Sequence, residues 1–399
     1  MKIIKLCTNI IKNILYFLFG DDIGSKIKRI IKFYLSGKKK INSVVELREI
    51  SICYHTSCGY YDFDPVRNGK LLFITSGKNY NEVNINKYDL QSKQNKVIEK
   101  GYVLNWQQGN RLLWINDNTF IFNNFLNNRY ISEEIRNNDR VIHKFPIYDV
   151  SSNIAVSVDF NRLGWMRPGY GYRKFQVQNV EINDVAFTFF DLNNDKIIKK
   201  ILYGDIIYQL KKQVNLNNCY INHLKFSPDG KKLMFFFIEI VNGRHMCYLS
   251  LYQNNQILIL DKELCASHYT WRNNEELLVT SYDNNRNCNY YIYNIVTETR
   301  EIIMRDKLKT DGHPTFIDAT RFITDTYPDS CGFQKILYVD IERSEIKELV
   351  SIYSSAKHLG EKRCDLHPRV SLNSGKVYFD ADIDGKRRIY VFKLEDIQK

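Results

Sequence analysis

Short apolar strands alternate with polar turns along most of the chain, and they recur at a regular interval. Four segments share one order of elements: a histidine, an apolar strand, a turn and a second apolar strand. They begin at Ile221, Ala266, Asp311 and Asp365. A repeat of about 40–50 residues with this content is typical of a β-propeller blade.

A second repeated feature gives the number of blades. Hairpins of two alternating strands joined by a polar turn begin at Val83, Val185, Met246, Asn289 and Lys335. With the inner strands that precede such hairpins, the count reaches seven blades. The last blade has only three strands, and we predict that Val44–Tyr54 supplies its fourth, because closure of this kind leaves no open edge. The sequence therefore predicts an all-β, seven-bladed β-propeller over residues 43–399.

Positive charge is concentrated at the N-terminus. The net charge is +12, but residues 1–40 hold ten Lys and Arg against Asp21 and Asp22. The rest of the chain is nearly balanced, which argues against a nucleic-acid partner. Apolar residues alternate with lysines over residues 2–19, a pattern typical of an amphipathic helix. We predict a basic amphipathic helical extension over residues 1–42, which either contacts an anionic membrane surface or docks on the propeller or a partner.

The cysteines and the N-terminal apolar run bear on location. The nine cysteines are scattered and form no CxxC pair, as expected of reduced thiols. The longest strongly apolar run, Ile14–Phe19, is far shorter than the roughly 20 residues that span a bilayer. We expect a cytoplasmic protein, peripheral on the inner membrane face if residues 1–40 bind lipid.

The histidines of the repeats are the first candidates for chemistry. His223, His268, His313 and His367 are spaced 45, 45 and 54 residues apart. Equivalent residues of successive blades point toward one axis, so we expect four imidazoles around one channel. An imidazole can bind a metal or act as a base, and the alternative is that each histidine hydrogen-bonds the next blade. We take His223 and His268 as candidate catalytic residues.

Polar residues near these histidines add to the candidate site. Asp365 and Arg369 flank His367, and Asp325, Tyr327 and Asp329 lie in the preceding blade. Carboxylates beside imidazoles orient them or share a metal with them. For Asp329, a role in a turn is the expected one.

An irregular insertion in one blade supplies the second candidate site. It runs from Asn161 to Asn179 and alternates guanidinium groups with aromatic rings around three glycines. Aromatic faces stack on sugars and arginine forks grip carboxylate or phosphate, so the loop suits an acidic sugar, a sugar phosphate or a nucleotide. The alternative is a loop that plugs the channel. The predicted substrate-binding residues are Arg162, Trp165, Arg167, Tyr170, Tyr172, Arg173 and Arg369.

Two segments carry a resemblance to known families. FSPDG at Phe226–Gly230 resembles the blade signature of Tol-type propellers, and Asp365–Leu394, with its HisProArg, YFD and GKRRIYV, is similar to the last blade of oligogalacturonate lyases. Those lyases are seven-bladed propellers with a histidine-bound divalent metal, usually manganese, and they cleave acidic oligosaccharides by β-elimination. The resemblance implies that His313 and His367 are metal ligands. The lyases place a polar ligand and a second histidine near the last-blade histidine, where this chain has Cys364 and Arg369.

Two functional hypotheses follow. RPGYGY at Arg167–Tyr172 resembles uncharacterised propellers that accompany bacterial surface-polysaccharide genes. The first hypothesis is a saccharide-handling propeller that binds or acts on an acidic or phosphorylated sugar in surface-polysaccharide metabolism. If the protein is an enzyme, we expect a lyase-like activity that uses a divalent metal such as manganese. The second is a non-catalytic protein-binding scaffold at the cytoplasmic membrane face. Bound divalent metal would favour the first.

Overall fold

The chain folds as a ring of seven antiparallel sheets. A computed structural model describes residues 24–77, 82–137 and 139–398, and within them seven sheets of four or five strands are present. The predicted seven-bladed propeller is therefore confirmed. The apolar and basic pattern of residues 2–19 lies outside the described residues, whereas residues 24–36 form a helix, α1. No helix in the described part of the chain is both long and apolar enough to cross a bilayer.

The first three blades use the chain between residues 55 and 202. Blade 1 contains β3 (His55–Ser57), β4 (Val66–Arg67), β5 (Lys70–Ser76), β6 (Val83–Asp89) and β7 (Asn95–Gly101). Blade 2 contains β8 (Leu113–Trp114), β9 (Thr119–Leu126), β10 (Arg129–Arg136) and β11 (Asp139–His143). Blade 3 contains β12 (Asp149–Ser151), β13 (Ile154–Val158), β14 (Val185–Asp191) and β15 (Lys196–Leu202).

The next two blades are regular four-stranded meanders. Blade 4 contains β16 (Cys219–Phe226), β17 (Lys232–Val241), β18 (Arg244–Gln253) and β19 (Gln256–Asp261). Blade 5 contains β20 (Cys265–Trp271), β21 (Glu276–Tyr282), β22 (Cys288–Asn294) and β23 (Thr299–Ile303). Each inner strand comes first in its blade, so these inner strands line the central channel.

The last two blades are completed by N-terminal strands. Blade 6 contains β24 (Thr315–Phe316), β25 (Arg321–Asp325), β26 (Phe333–Asp340) and β27 (Glu345–Tyr353), with β1 (Ile41–Ser43) at its outer edge. Blade 7 contains β28 (Arg369–Ser371), β29 (Lys376–Asp382) and β30 (Arg387–Lys393), with β2 (Arg48–Ile50) at its outer edge. The N-terminal segment therefore joins two adjacent blades.

The strand that closes the ring lies in the middle of the segment predicted to provide it. Within Val44–Tyr54, β2 pairs antiparallel with β30, and Glu49 lies opposite Tyr390. The preceding strand β1 pairs with β27, and Ile41 lies opposite Ile352. The pairing of β1 with blade 6 is not evident from the sequence pattern, because three residues with two exposed side chains carry little periodic signal.

The blades pack on each other through apolar faces. The middle strands are buried on both faces, so they read as near-continuous apolar runs, such as LMFFFI in β17. The largest buried cluster extends over blades 3, 4 and 5 and includes Phe187, Phe235 and Leu249. This packing makes the inner strands a rigid frame for side chains that face the channel.

Helices and loops cover one end of the ring, which is called the upper face here. It is the end at which the inner strands begin. After β13 come α2 (Phe160–Met166) and a long loop, and after β15 comes α3 (Tyr203–Leu210). Short 3₁₀ turns at Leu216–Asn218, Gly360–Lys362 and Leu394–Gln398 complete the helical elements of the described residues.

Candidate metal centre

The four repeat histidines come together in the channel below the upper face. The ring centroids of His268 and His313 are 4.1 Å apart, and those of His313 and His367 are 4.4 Å apart. His223 lies 5.8 Å from His268 by the same measure. The recurrence of a histidine in four successive blades therefore corresponds to one continuous row of imidazoles.

Local irregularities of the inner strands aim these side chains. The pairing registers of β16 and β20 shift between Asn222 and Lys225 and between Ala266 and His268, and a bulge of this kind redirects a side chain. His223 and His367 have φ values of 52° and 46°, in the left-handed region that residues with a side chain rarely adopt. Such backbone outliers in the interior of a protein concentrate at functional sites.

Three side chains form a set of metal donors. One ligand atom from each of His313, His367 and Asp365 lies within 4.8 Å of the other two. All three residues are buried, and none is more than 1% exposed. Among the described residues, nothing hydrogen-bonds to Nε2 of His313 or Nε2 of His367. Two orphaned imidazole nitrogens next to a carboxylate fit a divalent cation.

The opposite nitrogens of the same two imidazoles are held in place. His313 Nδ1 donates to Asp325 Oδ1 at 2.9 Å, and His367 Nδ1 is 3.3 Å from the carbonyl oxygen of Gly59. The backbone N–H of His367 also donates to Asp325, at 3.0 Å. Contacts of this type fix the tautomer that leaves Nε2 free to bind a metal.

Asp365 is held by Arg363. The guanidinium Nε donates to Asp365 Oδ1 at 3.0 Å, and Nη2 lies 2.9 Å from Oδ2. The second contact is an ion pair whose angle does not suit a hydrogen bond, so Oδ2 keeps an unused lone pair.

Burial and neighbouring charges set the pKa values of the two metal-donor histidines in opposite directions. Burial lowers the pKa of His313, but the charge of Asp325 and its hydrogen bond raise it by more. The pKa of His367 lies well below 6.5, because burial and then the neighbouring His313 disfavour its charged form. A neutral His367 has a lone pair for a metal without first losing a proton.

The two candidate catalytic histidines have different partners. His268 Nδ1 lies 3.0 Å from Asp311 Oδ1, which also accepts from Thr280. His223 Nδ1 lies 3.0 Å from the hydroxyl of Tyr60. Burial and then nearby histidines lower the pKa of both imidazoles. The His268–Asp311 pair is the arrangement that orients a histidine base.

Two tyrosines of blade 1 complete the row of rings. They were not predicted from the sequence as site residues. The ring of Tyr60 is 4.8 Å from that of His367, and the ring of Tyr61 is 5.1 Å from that of His313. Gly59 before them has φ 91°, and a side chain there would meet Gln108 O at 3.1 Å. The Gly-Tyr-Tyr run just after β3 could have identified them, because it occupies the repeat position at which four other blades have a histidine.

The long loop after α2 brings the predicted residue Tyr170 against the histidines, and Arg167 against Tyr170. The ring of Tyr170 is 5.8 Å from that of His223, and the Arg167 guanidinium lies 5.3 Å from the Tyr170 ring. That guanidinium makes no hydrogen bond or ion pair with any described residue. Burial lowers the pKa of Arg167 but the nearby Tyr170 and Tyr220 raise it by more, so this free cation stays charged.

Other predicted residues of the loop serve its structure or its rim. Arg162 donates to four backbone carbonyls, those of Cys219, Gln178, Leu216 and Asn217. Tyr172 is buried and stacks on Phe160, with ring centroids 5.0 Å apart. Trp165 and Arg173 lie at the outer rim, where Arg173 pairs with Glu361 at 2.9 Å. The loop therefore has features of both predictions, since Arg167 is a candidate for ligand binding and the buried Arg162 and Tyr172 plug the channel.

Arg369 and Asp329 have structural surroundings. The Arg369 side chain is fully buried, donates to the carbonyl of Tyr60 at 2.7 Å and also contacts the Gly59 carbonyl. These contacts hold the Gly59–Tyr61 backbone and do not favour the predicted role in substrate binding. Asp329 accepts from the backbone N–H groups of Cys331 and Phe333, as expected for a turn residue.

A cleft leads from the rim toward the histidines. It lies between blades 5 and 6 on the upper face and has a volume of about 1170 Å³. Asp311 and Tyr327 form its inner end, and the Tyr327 ring is 5.9 Å from that of His313. Its walls carry cations such as Arg286 and Arg305 and an equal number of carboxylates, among them Asp283 and Glu348. A smaller pocket of about 230 Å³, lined by Tyr60, Tyr61 and His223, reaches the histidine row itself.

Comparison with solved structures finds the same seven-bladed propeller architecture in proteins of low sequence identity. An oligogalacturonate lyase from Vibrio parahaemolyticus superposes with a TM-score of 0.61 at 13% identity, covering 91% of this chain and 100% of that one. An oligogalacturonate lyase in complex with manganese gives the same four values. TolB from Acinetobacter baumannii matches with a TM-score of 0.39 at 14% identity, over 90% of this chain and 82% of that one.

The resemblance inferred from the sequence is confirmed at the level of fold. No protein-family model and no curated protein matches the chain. At 13% identity, the structural likeness establishes the propeller architecture and leaves the activity to be argued from the site.

Proposed function

We propose that this protein is a metal-dependent, lyase-like propeller that acts on an acidic saccharide. The observation that carries the proposal is the buried donor set of His313, His367 and Asp365, in which both imidazoles have a fixed Nδ1 and an orphaned Nε2. A divalent ion such as manganese fits these donors, and when bound it would neutralise a substrate carboxylate. An oligogalacturonate lyase of the same fold has been solved with manganese, which supports the choice of ion.

The chain's own residues suit β-elimination. In that reaction a base removes the proton next to the carboxylate, a double bond forms, and the glycosidic oxygen leaves with a proton. His268, oriented by Asp311, is the proposed base. The Tyr60 hydroxyl, positioned by its contact with His223, is the proposed proton donor to the leaving oxygen. Arg167 would bind the carboxylate of the sugar, since its guanidinium is charged and unpaired.

The substrate class follows from the charges around the approach. The walls of the blade 5–6 cleft carry as many acidic as basic side chains, so it is the unpaired Arg167 above the histidines that favours an anionic chain. Uronic acid residues carry the carboxylate that elimination requires, so we propose an acidic oligosaccharide of bacterial surface-polysaccharide metabolism rather than a sugar phosphate. We place this activity in the cytoplasm, in keeping with the unpaired cysteines of the described residues.

A non-catalytic scaffold is the second candidate. It is favoured by the complete burial of the three donors beneath the loop that carries Tyr170. In that case the metal would be a structural clip between blades 6 and 7, and the surface of the ring would bind a protein.

Metal content and turnover separate the two candidates. The protein dialysed against manganese should retain about one ion per chain by elemental analysis, and His313→Ala and His367→Ala should each lose it. His245→Ala is the matched control, because His245 lies in blade 4 and contacts Tyr220 rather than the row. Wild type should release unsaturated uronides from oligogalacturonate or a related acidic glycan. Absence of metal would refute the enzyme, and bound metal without product would favour the scaffold.

A further inference from the structure

The N-terminal helix is fixed to the outside of blade 6. Phe33 is buried on the ring surface, with its centroid 4.3 Å from Tyr353 and 5.8 Å from Phe333. Arg29 Nη2 donates to the carbonyl of Gly332 at 3.2 Å. The Lys38 ammonium lies 5.3 Å from the Phe333 ring. Helix α1 is therefore a docked element with a defined position on the propeller.

That position is next to the mouth of the candidate site. One loop, residues 326–332, connects the two places. Near its start the Tyr327 ring lies 5.9 Å from that of His313, and at its end Gly332 accepts from Arg29. Because the loop joins β25 to β26 on the upper face, α1 lies at the rim of that face.

The outward surface of this segment combines positive charge with exposed apolar groups. Residues 24–40 contain seven Lys and Arg and no Asp or Glu. Tyr34 and Leu35 are 75% and 71% exposed, and Lys38, Lys39 and Lys40 follow them, also exposed. These five residues are called the basic rim. Large exposed apolar side chains beside several cations are what an anionic lipid surface binds, through insertion and through charge.

We propose that the basic rim binds the surface of an anionic membrane and thereby brings the upper face of the propeller next to the bilayer. The occupant is a lipid surface because the rim offers both charge and apolar groups, whereas a soluble polyanion would have no use for Tyr34 and Leu35. The extension before α1 continues the composition, with Lys2, Lys5 and Lys12 among apolar residues. The proposal stands apart from the lyase function and is tested without any saccharide.

The first test is co-sedimentation of the full chain with vesicles of phosphatidylcholine, with and without phosphatidylglycerol. Binding should require phosphatidylglycerol and weaken with salt. Replacing Tyr34 and Leu35 by serine should weaken it about tenfold or more. Replacing Lys38, Lys39 and Lys40 by glutamate should weaken it about a hundredfold or more, since each cation near the surface contributes about 1 kcal/mol.

The matched control uses apolar residues of similar exposure at the other end of the ring. Val296 and Leu372 are 65% and 64% exposed and lie in turns that follow β22 and β28. Replacing both by serine should leave binding unchanged. The proposal is overturned if the rim variants bind as wild type does, if the control loses as much, or if neutral vesicles bind equally well.

The orientation has its own readout in hydrogen exchange of the full chain with and without anionic vesicles. Amides in the upper-face loops at residues 326–332 and 359–365 should exchange more slowly on the membrane. Amides in the opposite turns at residues 227–231 and 272–275 should not change. Slowing at the opposite turns, or at neither end, would refute the proposed orientation.

Discussion

Asp325 accepts two hydrogen bonds from His313, one from Nδ1 at 2.9 Å and one from the backbone N–H at 2.7 Å. Its second oxygen accepts from the backbone N–H of His367 at 3.0 Å. One carboxylate thus positions two proposed metal ligands that belong to different blades. It acts on the metal through them, as the outer carboxylate of a carboxylate–histidine–metal arrangement does.

Asp325→Asn should therefore weaken metal binding about 10–100-fold without removing a ligand. The substitution keeps the shape of the side chain but takes away the charge that orients the His313 tautomer. Competition with a metal-sensitive chelator dye measures the affinity. Asp329→Asn, four residues along the same loop, is the control and should change the affinity little, because Asp329 caps a turn. Equal losses in the two variants would contradict the assigned role.

The repeat spacing made the row of histidines predictable. Blades are equivalent units, so residues at one position of each repeat share one position around the axis. The sequence could not show that Asp311, two residues before His313, would bond to His268 of the preceding blade. Such contacts cross a blade interface and depend on how neighbouring sheets are rotated, which no local pattern records.

The roles of three arginines could not be predicted from the sequence either. Arg162, Arg167 and Arg369 look alike in sequence, each beside aromatic or turn residues. Two of them are buried on backbone carbonyls, and the partners of Arg369 lie 309 and 310 residues away in the chain. Only Arg167 keeps an unpaired guanidinium near the histidines. Arg369 is buried because ring closure brings the two ends of the chain together, and no local sequence pattern shows that contact.

Arg162→Ala and Arg167→Ala should therefore have opposite phenotypes. Arg162→Ala leaves four carbonyls without their donor and should lower the free energy of unfolding by about 3 kcal/mol or more. Arg167→Ala should barely change the melting temperature but should weaken binding of an acidic oligosaccharide by about 1.5–3 kcal/mol. Denaturant unfolding and calorimetric titration measure the two effects. Unchanged glycan affinity in folded Arg167→Ala would remove Arg167 from the site.

The ion pair of Arg173 and Glu361 joins the loop of blade 3 to the loop of blade 7 across the mouth of the channel. Both side chains are more than a third exposed, so the pair should contribute only about 0–1 kcal/mol to stability. It should matter more for opening, because Tyr170 of the blade 3 loop contacts Arg363, which holds the buried metal donor Asp365.

Arg173→Glu should therefore speed release of bound metal to an excess of chelator while the melting temperature changes little. Combining it with Glu361→Arg restores an opposite-charge pair and should bring the release rate back toward wild type. Stopped-flow measurement of release follows all three proteins. If the double variant releases metal as fast as the single one, the pair does not restrain the loop.

His143 ties blade 2 to blade 3 through two carboxylates. Its Nε2 lies 2.9 Å from Glu134, and its Nδ1 lies 2.7 Å from Asp195 in the turn before β15. Arg136 also contacts Glu134, at 3.0 Å. Burial lowers the pKa of His143, but its two carboxylate partners raise it by more, so the net shift is upward from 6.5. The charged imidazolium is therefore the form that the folded state stabilises.

His143→Gln should accordingly destabilise the protein more at about pH 6 than at about pH 9. A raised folded-state pKa gives stability that is complete below the unfolded pKa and is lost as the pH rises through the folded value. The loss at the lower pH should be about 1.5–3 kcal/mol, the range for a charged hydrogen bond, measured by urea unfolding. His245→Gln is the control of opposite sign, because burial lowers the pKa of His245. A His143→Gln effect that is equal at both pH values would mean that the interblade contact is uncharged.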